Sequence, residues 1–387
     1  MGTRVRMGMV GGGPDAFIGN VHRMASRIDG DIELVCGAFS SNSERSAQAG
    51  EALYLHPSRS YAGYEEMFEK EAALPADERM EFVAIVTPNH LHFPIATAAM
   101  KHGFHVMCEK PATFTLAECL ELKKQVAATG KLFGVTHTYT GYPLVHEAKA
   151  RVANGDLGKI TKIVVEYNQG WLAGVSEEDA GKQAAWRMDP ERAGISCCMG
   201  DIGVHAANLA ETIVGDKISK VLADLGAVEP DRRLDDDGSV MLRFENGARG
   251  LLFSSQISVG EENNLRIRVY GTKGGLEWQQ QEPNTLLLKY NDRPTEMLRT
   301  GMGYLGESAT HRTRTPAGHP EGYLEAFGNL YKDFAAKVVE ERGTKASEGI
   351  KVIPGVPGID EAVAGMTFIE KVVESSNNGN VWLAVNE

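Results

Sequence analysis

The sequence is poor in cysteine and in long apolar runs. Its five cysteines in 387 residues form an odd set without CxxC or Cys/His zinc spacing, which argues against both a disulfide scaffold and a metal site. The start, RVRMGMVGGG, lacks the apolar core of a signal peptide, and no stretch approaches the roughly 18 apolar residues of a membrane span. We therefore expect a cytoplasmic protein with reduced thiols and no metal.

Positive charge is also scarce. The 40 basic residues are outnumbered by 52 acidic ones, which gives a formal net charge of −12 at pH 7. This balance opposes nonspecific attraction to nucleic acids and anionic lipids. We therefore expect a small-molecule ligand and neither a nucleic-acid nor a membrane partner.

The N-terminal part of the chain alternates short apolar runs with helix-like segments. The runs are RVRMGMV, IELVCGAF, EFVAIVTP, HVMCEKP and LFGVTHTY. Nearly continuous apolar strands separated by helices are typical of a parallel sheet that is covered on both faces. The pattern predicts an α/β protein whose residues 1–138 form a Rossmann domain with a doubly wound parallel sheet.

The remaining residues, 139–387, have a different pattern. Strand-like segments are joined by the hairpin signals ENGA and TKGG, and helix-like segments precede and follow them. We predict an α+β domain with a large, mostly antiparallel open sheet. A chain of 387 residues exceeds the usual size of one hydrophobic core, which agrees with two domains.

A glycine-rich turn follows the first predicted strand. Its glycines are Gly11, Gly12 and Gly13. At a strand-to-helix junction they let backbone amides approach a pyrophosphate without interference from Cβ atoms. The strict GxGxxG pattern requires glycine at Ala16, so the third glycine is either replaced there or displaced to Gly19. We predict that the turn binds NAD or NADP.

The second predicted strand lacks the acidic residue that would hold the adenosine ribose of NAD. The sequence there is AFSSNSER. Ser40, Ser41, Asn42 and Arg45 are candidates for contacting an adenosine phosphate, which slightly favours NADP. The alternative is that they are ordinary turn and N-cap residues of the next helix.

Two further motifs end strands at the same predicted edge of the sheet. TPNHLH follows the third strand, where it either lines the cofactor or forms a solvated loop. CEKP places Glu109 and Lys110 after the fourth strand, where a desolvated lysine can take part in proton transfer and a carboxylate can orient it. The alternative is an exposed ion pair. The predicted cofactor-binding residues are Gly11, Gly12, Gly13, Phe17, Ile18, Ser40, Ser41, Arg45, Thr87, Pro88, Asn89, His92, Glu109 and Lys110.

Together these motifs and the downstream GDIGVHAANL resemble the glucose-fructose oxidoreductase, inositol dehydrogenase and rhizopine-catabolism family, Gfo/Idh/MocA. The likeness covers essentially the whole chain. It implies that Lys110, Asp201 and His205 form the catalytic group. Asp201 and His205 are four residues apart, which would place them on one face of a helix, and a histidine titrates near neutrality. From the residues alone, a structural role is the commoner one for an Asp/His pair on a helix.

One departure from the family concerns the substrate. Many members carry an arginine in a segment like HxYRxxP, whereas this chain has Thr140 in HTYTGYP. Trp186 and Arg187 offer an aromatic face and a planar donor that suit a sugar ring or a carboxylate, although core packing is an alternative for the tryptophan. The predicted substrate-binding residues are Tyr139, Trp186, Arg187, Asp201, His205 and His319.

The resemblance implies an NAD(P)-dependent dehydrogenase that acts on a secondary alcohol of a sugar, a sugar derivative or an inositol-like cyclic polyol. One alternative is an NAD-dependent glycosidase that oxidises its sugar only transiently, and another is a non-catalytic cofactor-sensing protein. Residues 139–387 would bind substrate and form a homodimer or homotetramer through the sheet, whose apolar residues include Val164, Leu242, Phe253 and Val269.

Overall fold

The computed structural model describes residues 4–14, 16–176, 181–228, 232–343 and 355–385. The chain divides into two compact units, and each unit draws on two separate segments. The first comprises Met1–Thr138 and Phe327–Val363, and the second comprises Tyr139–Ala326 and Ala364–Glu387.

The first unit is built on a parallel sheet. Its strands are β1 (Val5–Gly11), β2 (Ile32–Ala38), β3 (Phe82–Val86), β4 (His105–Cys108) and β5 (Phe133–Val135). Within the described residues, these five strands lie in the order β2-β1-β3-β4-β5, and every pair is parallel. β3 and β4 are buried along their whole length, as expected when helices cover both faces of a sheet. The predicted doubly wound Rossmann sheet is confirmed.

Helices connect these strands. They are α1 (Phe17–Arg27), α2 (Ser43–Ala52), α3 (Tyr64–Ala72), α4 (His92–Lys101) and α5 (Leu116–Thr129). α5 shows how the sequence fixes a boundary: the Thr115 hydroxyl accepts the Glu118 N–H, and the Glu118 carboxylate accepts the Thr115 N–H in return. No helix within the described ranges is long and apolar enough to cross a membrane.

The second unit contains the larger sheet. Its strands are β6 (Ile160–Asn168), β7 (Ile218–Gly226), β8 (Asp237–Phe244), β9 (Arg249–Ser255), β10 (Asn264–Gly271), β11 (Gly275–Gln279), β12 (Thr285–Lys289), β13 (Glu296–Arg299) and β14 (Leu383–Ala384). In the part of the chain that is described, the strand order is β13-β12-β11-β10-β6-β9-β8-β7-β14. β6 and β9 pair in parallel, and the other pairs are antiparallel. The predicted mostly antiparallel sheet is confirmed.

Further helices accompany this sheet. They are α6 (Pro143–Ala153), α7 (Lys182–Met188), α8 (Pro190–Ala193), α9 (Val204–Val214), α10 (Glu307–His311), α11 (Tyr323–Glu341) and α12 (Ile359–Asn377). The division into units falls inside α11 and α12, so each of these two helices contributes residues to both units.

The apolar residues exposed on the larger sheet differ in part from those that the sequence led us to expect. Leu242 and Val269 were expected on an open face, but both are fully buried, because alternate strand residues point to opposite faces. The exposed apolar side chains are instead Met241 and Leu251, which are neighbours across β8 and β9 and are 48% and 42% exposed. Their half-buried neighbours on this face are Val164 and Phe253. The open face therefore carries two of the four expected residues, Val164 and Phe253, while Leu242 and Val269 lie on the buried face.

Candidate active site

The glycine turn follows β1 directly. Gly11 and Gly12 have φ values of 84° and 69°, a backbone region that side chains other than glycine rarely adopt. A Cβ atom on Gly11 would lie 2.6 Å from the carbonyl oxygen of Val86 in β3. The turn must therefore be free of side chains, as close approach to a pyrophosphate requires.

Gly19 supplies the third glycine of the turn pattern. It lies in the first turn of α1, and a Cβ atom placed on it would be 2.4 Å from Cα of Gly12. The helix can pack this closely against the turn only because both residues are glycine. Gly19, and not Ala16, thus occupies the position where the helix meets the turn.

A buried arginine supports the same turn. Arg23 of α1 donates from Nη1 to the carbonyl oxygen of Gly12 at 2.6 Å, and its Nη2 bonds to Oδ1 of Asn20. Burial lowers the pKa of Arg23, and the charge of Arg27 adds to this. Arg23 therefore holds the Gly12 carbonyl, and with it the backbone of the glycine turn, from inside the protein.

The end of β2 carries short polar side chains. Oδ1 of Asn42 accepts the backbone N–H of Arg45 at 2.9 Å, and Asn42 is the N-cap of α2. The N–H of Asn42 in turn bonds to the hydroxyl of Ser40. Ser41 and the Arg45 side chain are exposed. The capping role foreseen for this segment applies to Asn42, while Ser41 and Arg45 face solvent.

His92 links the loops that follow β3 and β4. Its Nδ1 lies 2.8 Å from the carbonyl oxygen of Pro111, and its Nε2 lies 2.9 Å from that of Thr87. The ring is fully buried, and burial lowers the pKa of His92. Thr87 and Asn89 are thereby held at the same sheet edge as the Glu-Lys-Pro segment.

Glu109 directly follows β4, and its side chain is held from inside the protein. The Thr136 hydroxyl donates to Oε1 at 2.7 Å, and Nε2 of His22 lies 2.8 Å from the same oxygen. Burial alone would raise the pKa of this carboxyl, but the bond from His22, the charge of Lys110 and the bond from Thr136 outweigh it and hold the pKa below its usual value. Glu109 is therefore an ionised carboxylate.

Lys110 is half-buried and precedes a cis bond to Pro111. The neighbouring His137, just after β5, is buried. Burial, with a contribution from the Lys110 charge, lowers the pKa of His137 to about 3. Because His137 stays neutral at physiological pH, the charged groups near the end of β4 are Glu109 and Lys110.

In the second unit, Asp201 lies in a π-helical turn, Met199–Gly203, which leads directly into α9. Nε2 of Gln256 donates to Oδ2 of Asp201 at 2.9 Å, and Nε of Arg187 lies 3.2 Å from the same oxygen. Asp201 therefore lies in the π-helical turn and His205 in the first turn of α9, so the two residues are four apart in one continuous helical run. Such π-turns are frequent at functional sites.

Asp235 anchors the start of this turn. Its carboxylate accepts the backbone N–H groups of Cys197 and Met199, both at 2.9 Å, and the hydroxyl of Ser196 at 3.0 Å. Burial raises the pKa of Asp235, and these bonds oppose the shift. The turn that carries Asp201 is thus held by a buried side chain.

His205 lies in an aromatic environment. The Tyr139 ring meets the His205 ring edge-on at 5.0 Å between centroids, and Tyr167 lies 6.4 Å away. The two tyrosine hydroxyls bond to each other and to the Asn263 amide. Burial raises the pKa of Tyr167, so its hydroxyl remains protonated. Of the predicted substrate residues, Tyr139 and His205 are therefore together.

Arg187 has aromatic neighbours as well as Asp201. Its guanidinium carbon lies 4.4 Å from the Trp186 ring centroid and 5.9 Å from that of Trp171. Trp171 is 39% exposed. Cation–π contact and the ion pair with Asp201 together hold the guanidinium in place. Trp186, Arg187 and Asp201 thus form one cluster, which Trp171 extends.

His319 lies apart from this cluster in an exposed turn. Its Nδ1 bonds to the carbonyl oxygen of Pro316 at 3.1 Å. Thr140, where many family members have arginine, is buried in the turn Thr138–Gly141. Several residues that contact the predicted ones had no signal in the sequence, because they come from distant segments. They are His22, Thr136, Tyr167, Gln256 and Asn263, and Tyr331 joins them through its bond to His22.

The strand order, the glycine turn and the charged pair after β4 define a dinucleotide-binding protein of the oxidoreductase type. The profile described as "Oxidoreductase family, NAD-binding Rossmann fold" matches residues 5–137, and that of the "GFO/IDH/MocA C-terminal domain" matches residues 145–277. The chain belongs to the Gfo/Idh/MocA family of oxidoreductases, and its N-terminal part is an NAD-binding Rossmann domain.

Relatives match over nearly the whole chain. The uncharacterised oxidoreductase YfiI of Bacillus subtilis is 34% identical over 98% of this chain and 96% of its own. An inositol dehydrogenase homologue from Azotobacter vinelandii, solved with NAD⁺, has a TM-score of 0.93 and 36% identity over 99% of this chain and 98% of its own. The levoglucosan dehydrogenase of Pseudarthrobacter phenanthrenivorans is 28% identical over 74% of this chain and 76% of its own.

Proposed function

We propose that the protein is a dehydrogenase that oxidises a secondary alcohol of an uncharged sugar or cyclic polyol. The observation that carries this proposal is the Glu109-Lys110 pair at the carboxyl end of β4, at the same edge of the parallel sheet as the glycine turn after β1, with β3 between them. In doubly wound folds this edge is where ligands bind. The relatives named for inositol and levoglucosan support the substrate class.

The cofactor we propose is NAD(H). The glycine turn would hold its pyrophosphate, Ser41 and Arg45 would lie beside the adenosine ribose, and Glu109 would accept a hydroxyl of the nicotinamide ribose. The bound cofactor supplies the hydride acceptor. The A. vinelandii homologue was solved with NAD⁺, which favours NAD over the NADP that the missing acidic residue after β2 slightly favoured.

The chain itself would provide the path for the proton. Lys110 would polarise the reacting hydroxyl, and His205 would accept its proton as the hydride leaves. Asp201, held by Gln256 and Arg187, would orient the substrate. Lys110 lies in the first unit, whereas Asp201 and His205 lie in the second.

The Arg187 cluster supports an uncharged substrate. The guanidinium is paired with Asp201 and lies against two tryptophan rings, so its charge is already balanced by a carboxylate and attracts an anionic substrate group less strongly. The exposed part of Trp171 offers an apolar face of the kind that packs against the C–H groups of a sugar ring.

A steady-state assay that follows NADH absorbance tests this function. NAD⁺ and NADP⁺ would each be combined with myo-inositol, levoglucosan and glucose, and with the anions glucuronate and glucose 6-phosphate. We expect net reduction of NAD⁺ with an uncharged substrate and little with the anions. Sugar cleavage without net NADH formation would indicate a glycosidase, and cofactor binding without any turnover would indicate a sensor.

Double-mutant kinetics test the catalytic group. Lys110→Ala and His205→Ala should each lower kcat by about 10²- to 10⁴-fold, as loss of positioned proton transfer does. If both serve one proton path, the double variant should lose much less than the product of the single losses. Lys101→Ala, at the exposed end of α4, is the matched control and should keep full activity. Full multiplication of the two losses would show independent roles.

We also propose that the protein self-associates through the open face of the larger sheet. Met241 and Leu251 leave an apolar patch there, and ion pairs flank it, such as Glu166 with Arg268. Monomers rarely expose contiguous apolar patches of this kind, and closed symmetric oligomers are the usual way to cover them.

A further inference from the structure

Glu109 is the end of a chain of buried polar side chains. His22, in α1, is fully buried; its Nε2 lies 2.8 Å from Oε1 of Glu109, and its Nδ1 lies 2.5 Å from the hydroxyl of Tyr331 in α11. All three residues belong to the first unit. The Phe327 ring packs edge-on against His22 at 4.6 Å, so the imidazole is fixed on its sides as well as at both nitrogens.

The positions of the protons in this chain follow from the chemistry of its ends. An ionised carboxylate can only accept hydrogen bonds, so Nε2 of His22 must donate to Glu109. Burial, with the Glu109 charge, raises the pKa of Tyr331 well above its usual value, so its hydroxyl keeps its proton and can donate to Nδ1. Both ring nitrogens of His22 are therefore engaged, Nε2 with Glu109 and Nδ1 with Tyr331.

The hydrogen bonds to the Glu109 carboxylate leave room for one further donor, on Oε2. Oε1 accepts from His22 and Thr136, while Oε2 accepts the backbone N–H of Lys110 at 3.2 Å. A carboxylate has about four lone-pair sites, so within the described residues one site on Oε2 remains for a ligand hydroxyl. Glu109 is 9% exposed, which suits a group that meets a ligand at one edge only.

We infer that His22 and Tyr331 are positioning residues: the Tyr331–His22–Glu109 chain holds the Glu109 carboxylate with Oε2 directed to a ribose hydroxyl of the nicotinamide cofactor. The inference rests on the proposed function, since it assigns Glu109 to the cofactor. The titratable or charged groups that face this chain are Lys110, His137, His92 and Cys108. Burial disfavours the charged forms of His137, His92 and Cys108.

Substitutions of His22 provide the test, with NAD⁺ affinity measured by calorimetry as a function of pH. His22→Leu removes the donor to Glu109, and loss of a hydrogen bond to a charged group should weaken binding about 10- to 100-fold at neutral pH. It should also raise the Glu109 pKa, because the carboxylate stays buried with fewer donors. The acid-side loss of affinity should then begin about one to two pH units higher than in the wild type.

Two variants separate positioning from stability. His22→Gln keeps an N–H donor for Glu109 and should retain affinity within about threefold, with little shift in the pH profile. His105→Gln replaces another buried histidine, at the far end of β4, which accepts the N–H of Leu132; it should cost stability without moving the profile. If His22→Leu does not fold, Tyr331→Phe is measured in its place. Because this change removes the hydroxyl that bonds to Nδ1 of His22, NAD⁺ affinity should fall several-fold.

The outcomes distinguish this inference from the function on which it rests. A folded His22→Leu with the affinity and pH profile of the wild type would overturn the inference, even in an active dehydrogenase. Wild-type protein that binds NAD⁺ but oxidises no substrate would overturn the function, while the binding profiles would still decide the role of His22. Side-chain ¹⁵N NMR of the free protein gives an independent readout: one ring, absent in His22→Gln, should carry its proton on Nε2. The opposite tautomer would contradict the chain of donors.

Discussion

Replacing Gly19 by alanine probes the contact between α1 and the glycine turn. The added Cβ would lie 2.4 Å from Cα of Gly12 and 2.9 Å from its carbonyl oxygen, whereas carbon atoms normally approach to about 3.5–4 Å. Both sides of the contact are backbone, so no side-chain rotation relieves it. The helix and the turn must therefore move apart.

The expected cost follows from two opposing effects. Overpacking costs about 1–3 kcal/mol, and the upper end applies where backbone meets backbone. Alanine returns about 1 kcal/mol of helix propensity, so Gly19→Ala should lose about 2 kcal/mol of stability. Displacement of the turn should also remove at least one hydrogen bond to the pyrophosphate, which corresponds to a roughly 10- to 100-fold weaker affinity for NAD⁺.

Chemical denaturation and NAD⁺ calorimetry measure these two effects. The matched control is Gly226→Ala, because a Cβ atom at Gly226 would meet nothing within 4 Å; this variant should resemble the wild type in both assays. Wild-type stability and affinity in Gly19→Ala would refute the argument that the helix and the turn require this close approach.

Two further substitutions test the cofactor and the assembly. Ser41→Asp places a negative charge after β2, where repulsion of the 2′-phosphate should lower any use of NADP by at least about tenfold while sparing NAD; an unchanged ratio of kcat/KM values would place the adenosine ribose elsewhere. Leu251→Lys puts a charge on the open sheet face and should shift the mass measured by light scattering from oligomer to monomer, whereas Val259→Lys, at a residue that is 84% exposed, should not. A monomeric wild type at micromolar concentration would contradict self-association.

The sequence predicted those parts of the fold that depend on local pattern. The continuous apolar runs at β3 and β4 are diagnostic because both faces of these strands are buried. The parallel pairing of β6 with β9 was not predictable, because periodicity identifies strands but not their partners. Similarly, alternation within β8 left two choices of face, and the buried one contains Leu242 and not Met241.

At the candidate site, the motifs at the strand ends could be identified from the sequence, but the residues that hold them in place could not. Glu109 and Lys110 stand in a short motif after a strand, so their location follows from the sheet alone. Tyr331 reaches the same network from 309 residues after His22, and no local signal links the two. The π-turn at Asp201 was also hidden, because the spacing of DIGVH fits an ordinary helix equally well.

The position of His92 has a consequence for how the sheet edge opens. The buried His92 ring lies between the carbonyl groups of Thr87 and Pro111, 2.9 and 2.8 Å from them, so local opening of either loop exposes a ring against which the other loop also packs. Local opening is cooperative in such units. Thermal fluctuations should therefore open the loops after β3 and β4 together, as one segment with a common free energy of opening.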